Sequence, residues 1–156
     1  MSADFYQQSM VFSDYKVGQK FATTGRTITE ADIISFAGLS GDFHQIHINE
    51  EYAKKTTFGR RVAHGLLGLS IASGLAAQTG LMEHTIIAFR EIKEWKFIKP
   101  VFIGDTLSVE MEVLETKEMP RIGGGAVEIK IEVINQNNEV VMRGIWVVLV
   151  SNQRIG

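Results

Sequence analysis

A chain of 156 residues can bury one continuous core, and a content of 45% hydrophobic and 22% charged residues is that of an ordinary globular domain. A formal net charge of −2 gives no global support for binding nucleic acid or another polyanion. The absence of cysteine excludes disulfides, thiolate nucleophiles and cysteine-type zinc sites together, and suits a cytoplasmic protein.

The opening "MSADFYQQSMVFSDYKVGQK" has no basic start followed by an apolar run, so no signal peptide is expected. "TITEADIISFAGLSGD" reads as a short helix. Thr29 can cap it, Asp32 stands three residues on, Ile33, Phe36 and Ala37 share a face, and a stop is expected near Gly38. The next stretch, "GDFHQIHINEEYA", crowds Asp42, Phe43, His44 and His47 together, and Asn49 is placed to cap a second short helix over "EEYAKK".

"HGLLGLSIASGLAAQTG", residues 64–80, is apolar at helical spacing all the way round, which predicts a helix buried on every face and ended by Gly80. The region around 62–82 is broken by His64, Ser70, Ser73 and Gln78 and is too polar for a membrane span, so a soluble protein is expected.

The period then changes to alternation. "TIIAFREIKEWKFIKP", "TLSVEMEVLET", "GAVEIKIEVIN" and "EVVMRGIWVVLV" read as strands, with "NQNN" at 135–138 as a hairpin turn. The apolar phase slips between Ile92 and Trp95, which predicts a bulge near Lys93–Glu94. "IGGGAV", residues 122–127, reads as a flexible turn without the lysine of a phosphate loop. Pro100 and Pro120 punctuate the strands. The expected architecture is α+β, one domain over residues 1–156 with its core at about 11–150: a curved antiparallel sheet wrapped around one long helix. Such a sheet has edge strands, which dimerisation would cover.

Taken singly, the polar residues have plain readings. Gly-Asp before a helix is a common turn, and a lone histidine is commonly structural. Asp42 with His44-x-x-His47 could ligate zinc, but the sequence offers no clear further ligand, so no metal is expected. Ser70 and Ser73 lie inside a helix without the Gly-x-Ser-x-Gly elbow of a serine hydrolase.

Three segments in order, "SGDFHQIHINEEYA", "FGRRVAHGLLGLSIASGL" and "WKFIKPVFIGDTL", resemble the MaoC-like dehydratases and (R)-specific enoyl-CoA hydratases. The resemblance covers roughly residues 11–150 and implies a hot-dog fold. It further implies reversible hydration of a trans-2-enoyl-CoA to an (R)-3-hydroxyacyl-CoA, with coenzyme A as part of the substrate and no other cofactor. By position it implies Asp42 and His47 as the catalytic pair, the Gly65 amide as an oxyanion donor, and Ser73 and His64 beside the substrate. His44 and Phe43 would line the pocket; His44-Gln45 replaces the family's usual Asn-Pro, losing a proline that would fix the turn. Residues 54–99 hold Lys54, Lys55, Arg60, Arg61, Arg90, Lys93, Lys96 and Lys99 against Glu83, Glu91 and Glu94, an excess of five positive charges. Arg60, Arg61 and Lys96 are the candidates for the coenzyme A phosphates. An acyl carrier protein could replace coenzyme A as carrier, and a homodimer or higher homo-oligomer is expected. The rival readings are a hot-dog thioesterase, which would release free thiol, and a non-catalytic acyl-CoA-binding domain.

Overall fold

The computed structural model describes residues 9–155. The first eight residues of the stretch searched for a signal peptide lie outside them. Among the described residues, four α-helices, α1 (Glu30–Ser40), α2 (Gln45–Ile48), α3 (Glu50–Ala53) and α4 (Gly65–Gln78), accompany six strands. These are β1 (Lys20–Ala22), β2 (Arg26–Thr27), β3 (Ile86–Phe97), β4 (Thr106–Met119), β5 (Gly124–Ile134) and β6 (Val140–Ser151). The antiparallel sheet runs β1-β4-β5-β6-β3, and β2 continues the edge of β4 beyond β1. Among the described residues, no helix is long and apolar enough to cross a membrane.

Alternation sets the sheet's inner face. Val109, Met111 and Val113 on β4 stand opposite Val133, Ile131 and Ile129 on β5, and Ile129 stands opposite Trp146 on β6. All are buried in one cluster with Leu67, Ile71, Ala72 and Leu75 of α4. Each of the larger α4 side chains stabilises the fold by about 1.5–3 kcal/mol on burial. The helix thus lies against the sheet as expected, but it is not buried on every face. Leu66, Ser70, Ser73 and Ala77, spaced four, three and four residues apart, form an exposed stripe. The strand at the β3 edge is exposed as well, with Ile86, Ile87, Phe89, Ile92 and Phe97 open to solvent.

The bulge in β3 is present: the register shifts between Lys93 and Lys96, and Glu94 adopts a positive φ of 53°. Trp95 consequently stacks with Trp146 at 6.0 Å. Two local expectations need correction. Helix α1 runs through Gly38 to Ser40, since its turn at Gly41 (φ 79°) supplies the left-handed stop that Gly38 does not. Gly124 and Gly125 belong to β5 rather than to a flexible turn, because pairing with Ser151 and Val150 locks them into the ladder. Strands β1 and β2 and helix α2 are too short to show a period in the sequence.

Candidate active site

The site is built from the end of α1 to the start of α4. Thr29 and Asp32 cap α1 reciprocally: the Thr29 hydroxyl accepts from the Asp32 amide at 3.2 Å, and the Asp32 carboxylate accepts from the Thr29 amide at 2.9 Å. At its other end Gly41 turns the chain through a conformation that costs a side-chain-bearing residue about 1–2 kcal/mol. Asp42 follows, with its carboxylate half-exposed. Its Oδ1 accepts from the His44 amide at 3.2 Å, and the His44 Nδ1 accepts from the Ile46 amide at 3.3 Å. His44 is therefore the cap of α2. These two bonds brace the turn that Asn-Pro would otherwise stiffen.

His47, on the third residue of α2, is 7% exposed. Its Nδ1 lies 2.7 Å from the Val62 carbonyl. A carbonyl only accepts, so Nδ1 carries the proton and Nε2 is bare in the neutral ring. That Nε2 stands 3.9 Å from Asp42 Oδ2. The His47 pKa is held below the usual histidine value by burial first, with the neighbouring His64 and His44 adding to the effect against the Val62 carbonyl and Asp42. The ring is thus a neutral proton acceptor near pH 7.

The segment 61–63 brings α4 to this pair. The Val62 amide donates to the Ile46 carbonyl at 3.1 Å, and the Ala63 amide to the Val101 carbonyl at 2.8 Å. His64 is consequently 3% exposed and stacked on His47, with centroids 3.7 Å apart and planes inclined by 24°. A cleft of about 480 Å³ is lined by His47, His64, Gly65, Leu66, Phe97 and Met142, among others. Gly65 opens α4, and no side chain caps that helix, so its first amides are available to a ligand. A Cβ at Gly65 would meet the Phe97 ring at 2.8 Å, so a larger residue here would have to push that ring aside.

One ligand atom each from Asp42, His47 and His64 lies within 4.8 Å of the others. His64, which the resemblance put beside the substrate, is thus a third group near the pair, although the sequence did not single it out as a further possible ligand. The arrangement suits a metal poorly. An imidazole binds an ion in its own plane, and two rings this close and this nearly parallel have planes that converge far beyond ligand distance.

The structure separates other candidates from the site. Ser73 is exposed, donates to the Ser70 carbonyl at 2.7 Å, and lines a second, apolar cavity of about 180 Å³ with Phe89, Met111 and Trp146. Arg61 is held by Glu30 at 2.8 Å and Glu50 at 2.9 Å, tying α1 to α3. Lys96 stands opposite Arg143 on the outer face of the sheet, since its neighbour Phe97 turns inward to Gly65. Arg60, two residues before Val62, stacks on Phe102 at 3.8 Å with its charge still open. Phe43 is half-exposed beside Asp42 and does not line the cleft.

The family model of the MaoC like domain matches residues 13–136. An (R)-specific enoyl-CoA hydratase of Rhodospirillum rubrum is 41% identical over 102 residues, covering 65% of this chain and 68% of that protein. Protein MaoC of Klebsiella aerogenes is 39% identical over 100 residues, 64% of this chain but only 29% of that longer protein. Among solved structures, a monoamine oxidase regulatory protein from Archaeoglobus superposes with a TM-score of 0.86 at 38% identity, covering 97% of this chain and 98% of the other. The fold is shared with a Mycobacterium tuberculosis protein described as a double hot-dog, at a TM-score of 0.79 and 18% identity over 93% of this chain and 45% of that one. With an antiparallel sheet curved about α4 and this match over most of its length, the chain is a hot-dog protein of the MaoC-like dehydratase family.

Proposed function

We propose that this protein hydrates a trans-2-enoyl-CoA to the (R)-3-hydroxyacyl-CoA, or catalyses the reverse dehydration, with no cofactor beyond the coenzyme A of its substrate. The observation that carries the reading is the 3.9 Å gap between His47 Nε2 and Asp42 Oδ2. One water at ~2.8 Å from each atom bridges such a gap. Oδ2 orients it, and the bare Nε2 takes its proton as the oxygen bonds to C3. The π pair moves to the thioester oxygen, which the Gly65 amide stabilises. The proton on Nε2 then passes to C2, so the enzyme ends as it began. The (R) configuration follows the similarity to the Rhodospirillum enzyme.

The acyl group is neutral and apolar in this reading. Neither cavity along α4 offers an open cation: one is lined by a single carboxylate, Glu83, and the other by Lys99, which Glu139 holds at 2.6 Å. A dicarboxylic thioester would place its second carboxylate there without a partner. Of the three cationic candidates, Arg60 is the one we assign to the coenzyme A phosphates, because Arg61 is held by two carboxylates and Lys96 stands on the outer face. A second copy along β3 and the exposed stripe of α4 would cover the apolar edge.

Incubation with crotonyl-CoA tests the proposal. Loss of the enoyl-thioester absorbance with formation of (R)-3-hydroxybutyryl-CoA and no free thiol is expected. Release of free thiol would establish the thioesterase instead, and binding of crotonyl-CoA without turnover a binding domain.

A further inference from the structure

His44 and His64 precede helices α2 and α4 with nearly the same backbone angles, φ −58° and ψ 139° against φ −57° and ψ 136°. His44 caps its helix through Nδ1, as that geometry allows. His64 does not. Its ring turns back, and Nε2 lies 2.9 Å from the main-chain carbonyl of Asp42. One face packs on His47, and Phe36 approaches it at 4.9 Å. Its Nδ1 is left buried with no hydrogen-bond partner.

A buried acceptor without a donor is destabilising, and an asparagine capping α4 would avoid it. Folding alone gives no reason for an imidazole here. We infer that His64 is a positioning residue: its Nε2–H fixes the backbone of Asp42, its ring face fixes the plane of His47, and its diversion from capping leaves the first amides of α4 open. This rests on the hydration reading above. The Asp42 carbonyl and the Asp42 carboxylate belong to one residue, so the bond to the first sets the direction of the second. The stack stops His47 from rotating about the bond that ties Nδ1 to Val62, and so keeps Nε2 aimed at the gap. The titratable groups facing His47 are Asp42, His44 and His64; Phe36 from α1 and Val62 from segment 61–63 contribute none.

Three variants and one spectroscopic measurement test this. His64→Phe keeps a ring against His47 but removes the donor to Asp42. It is expected to lower kcat roughly 30-fold with KM nearly unchanged, because misdirection of a reacting group affects the chemical step. His64→Gln can still donate to the Asp42 carbonyl and should recover part of that loss. Loss of the neighbouring imidazole should also move the acidic limb of its kcat/KM profile to higher pH, since His64 helps hold the His47 pKa down. His64→Asn should cap α4, raise the thermal midpoint and lower kcat, because the capping bond competes for the amides that face the developing oxyanion. Nitrogen-15 NMR of the wild-type histidines should show His47 as the Nδ1–H tautomer and His64 as the Nε2–H tautomer. An Nδ1–H tautomer at His64, or wild-type kcat and acidic limb in His64→Phe, would overturn the inference. The NMR result needs neither folded variants nor turnover. If no enoyl-CoA is hydrated, the function fails while the tautomers still decide the geometry.

Discussion

His47 Nε2 and Asp42 Oδ2 face each other across 3.9 Å, too far for a direct hydrogen bond and close enough for both to hold one water. A buried imidazole and a half-exposed carboxylate thus face one point, and their different burial gives different consequences on mutation.

Asp42→Asn should lower kcat/KM by ~10²–10⁴-fold, the usual weight of one acid/base group, with the thermal midpoint unchanged. His47→Ala should cost as much activity and also about 1–3 kcal/mol of stability, because it leaves the Val62 carbonyl without its donor. Steady-state kinetics beside thermal melts separate the two. Near-wild-type turnover in either folded variant would dismiss the pair.

The depressed pKa of His47 has a definite sign. Below its ordinary value of 6.5 the unfolded chain takes up a proton that the folded chain resists. The stability gained by burying the neutral ring is therefore fully present above pH 6.5 and is lost as the pH falls through the lower folded value. Activity dependent on the bare Nε2 should likewise persist below pH 6.5. Melts and kcat/KM recorded from pH 5 to 8 should show both limbs on the acidic side, and His47→Gln should remove this histidine's share of the stability change.

Arg60 and Arg61 are adjacent in the chain and opposite in expectation. Arg61→Ala cuts the tie between Glu30 and Glu50 and should lower the thermal midpoint with little change in KM. Arg60→Ala should raise KM for crotonyl-CoA about 3- to 10-fold without affecting a crotonyl-pantetheine substrate that lacks the nucleotide phosphates. Equal KM changes for both substrates would remove Arg60 from the phosphate site.

The exposed β3 edge predicts a response to charge. Ile92→Lys places an ammonium group on the apolar edge strand of the sheet and should shift the protein to a monomer. Light scattering after size exclusion measures this directly. An unchanged mass in this variant, or a monomeric wild type, would refute dimerisation through β3.

Local chemistry was legible in the sequence. The Thr29–Asp32 capping box, the Asn49 cap, the stop at Gly80, the bulge at Glu94 and the alternation of β4 to β6 each depend on residues a few positions apart, and each stands where expected. The proximity of Asp42 and His47 is local in the same way, since one short turn and one helical turn join them. What the tertiary structure decided depends on chain paths that no period encodes. His64 reaches the pair only because Val62 and Ala63 are pinned between Ile46 and Val101. Arg61 is withdrawn by carboxylates 31 and 11 residues away, and Ser73 by the face of α4 on which it falls. One face of α4, the stripe of Leu66, Ser70, Ser73 and Ala77, remains open within one chain, because helical spacing of apolar residues records that a helix seeks cover without recording what covers each face.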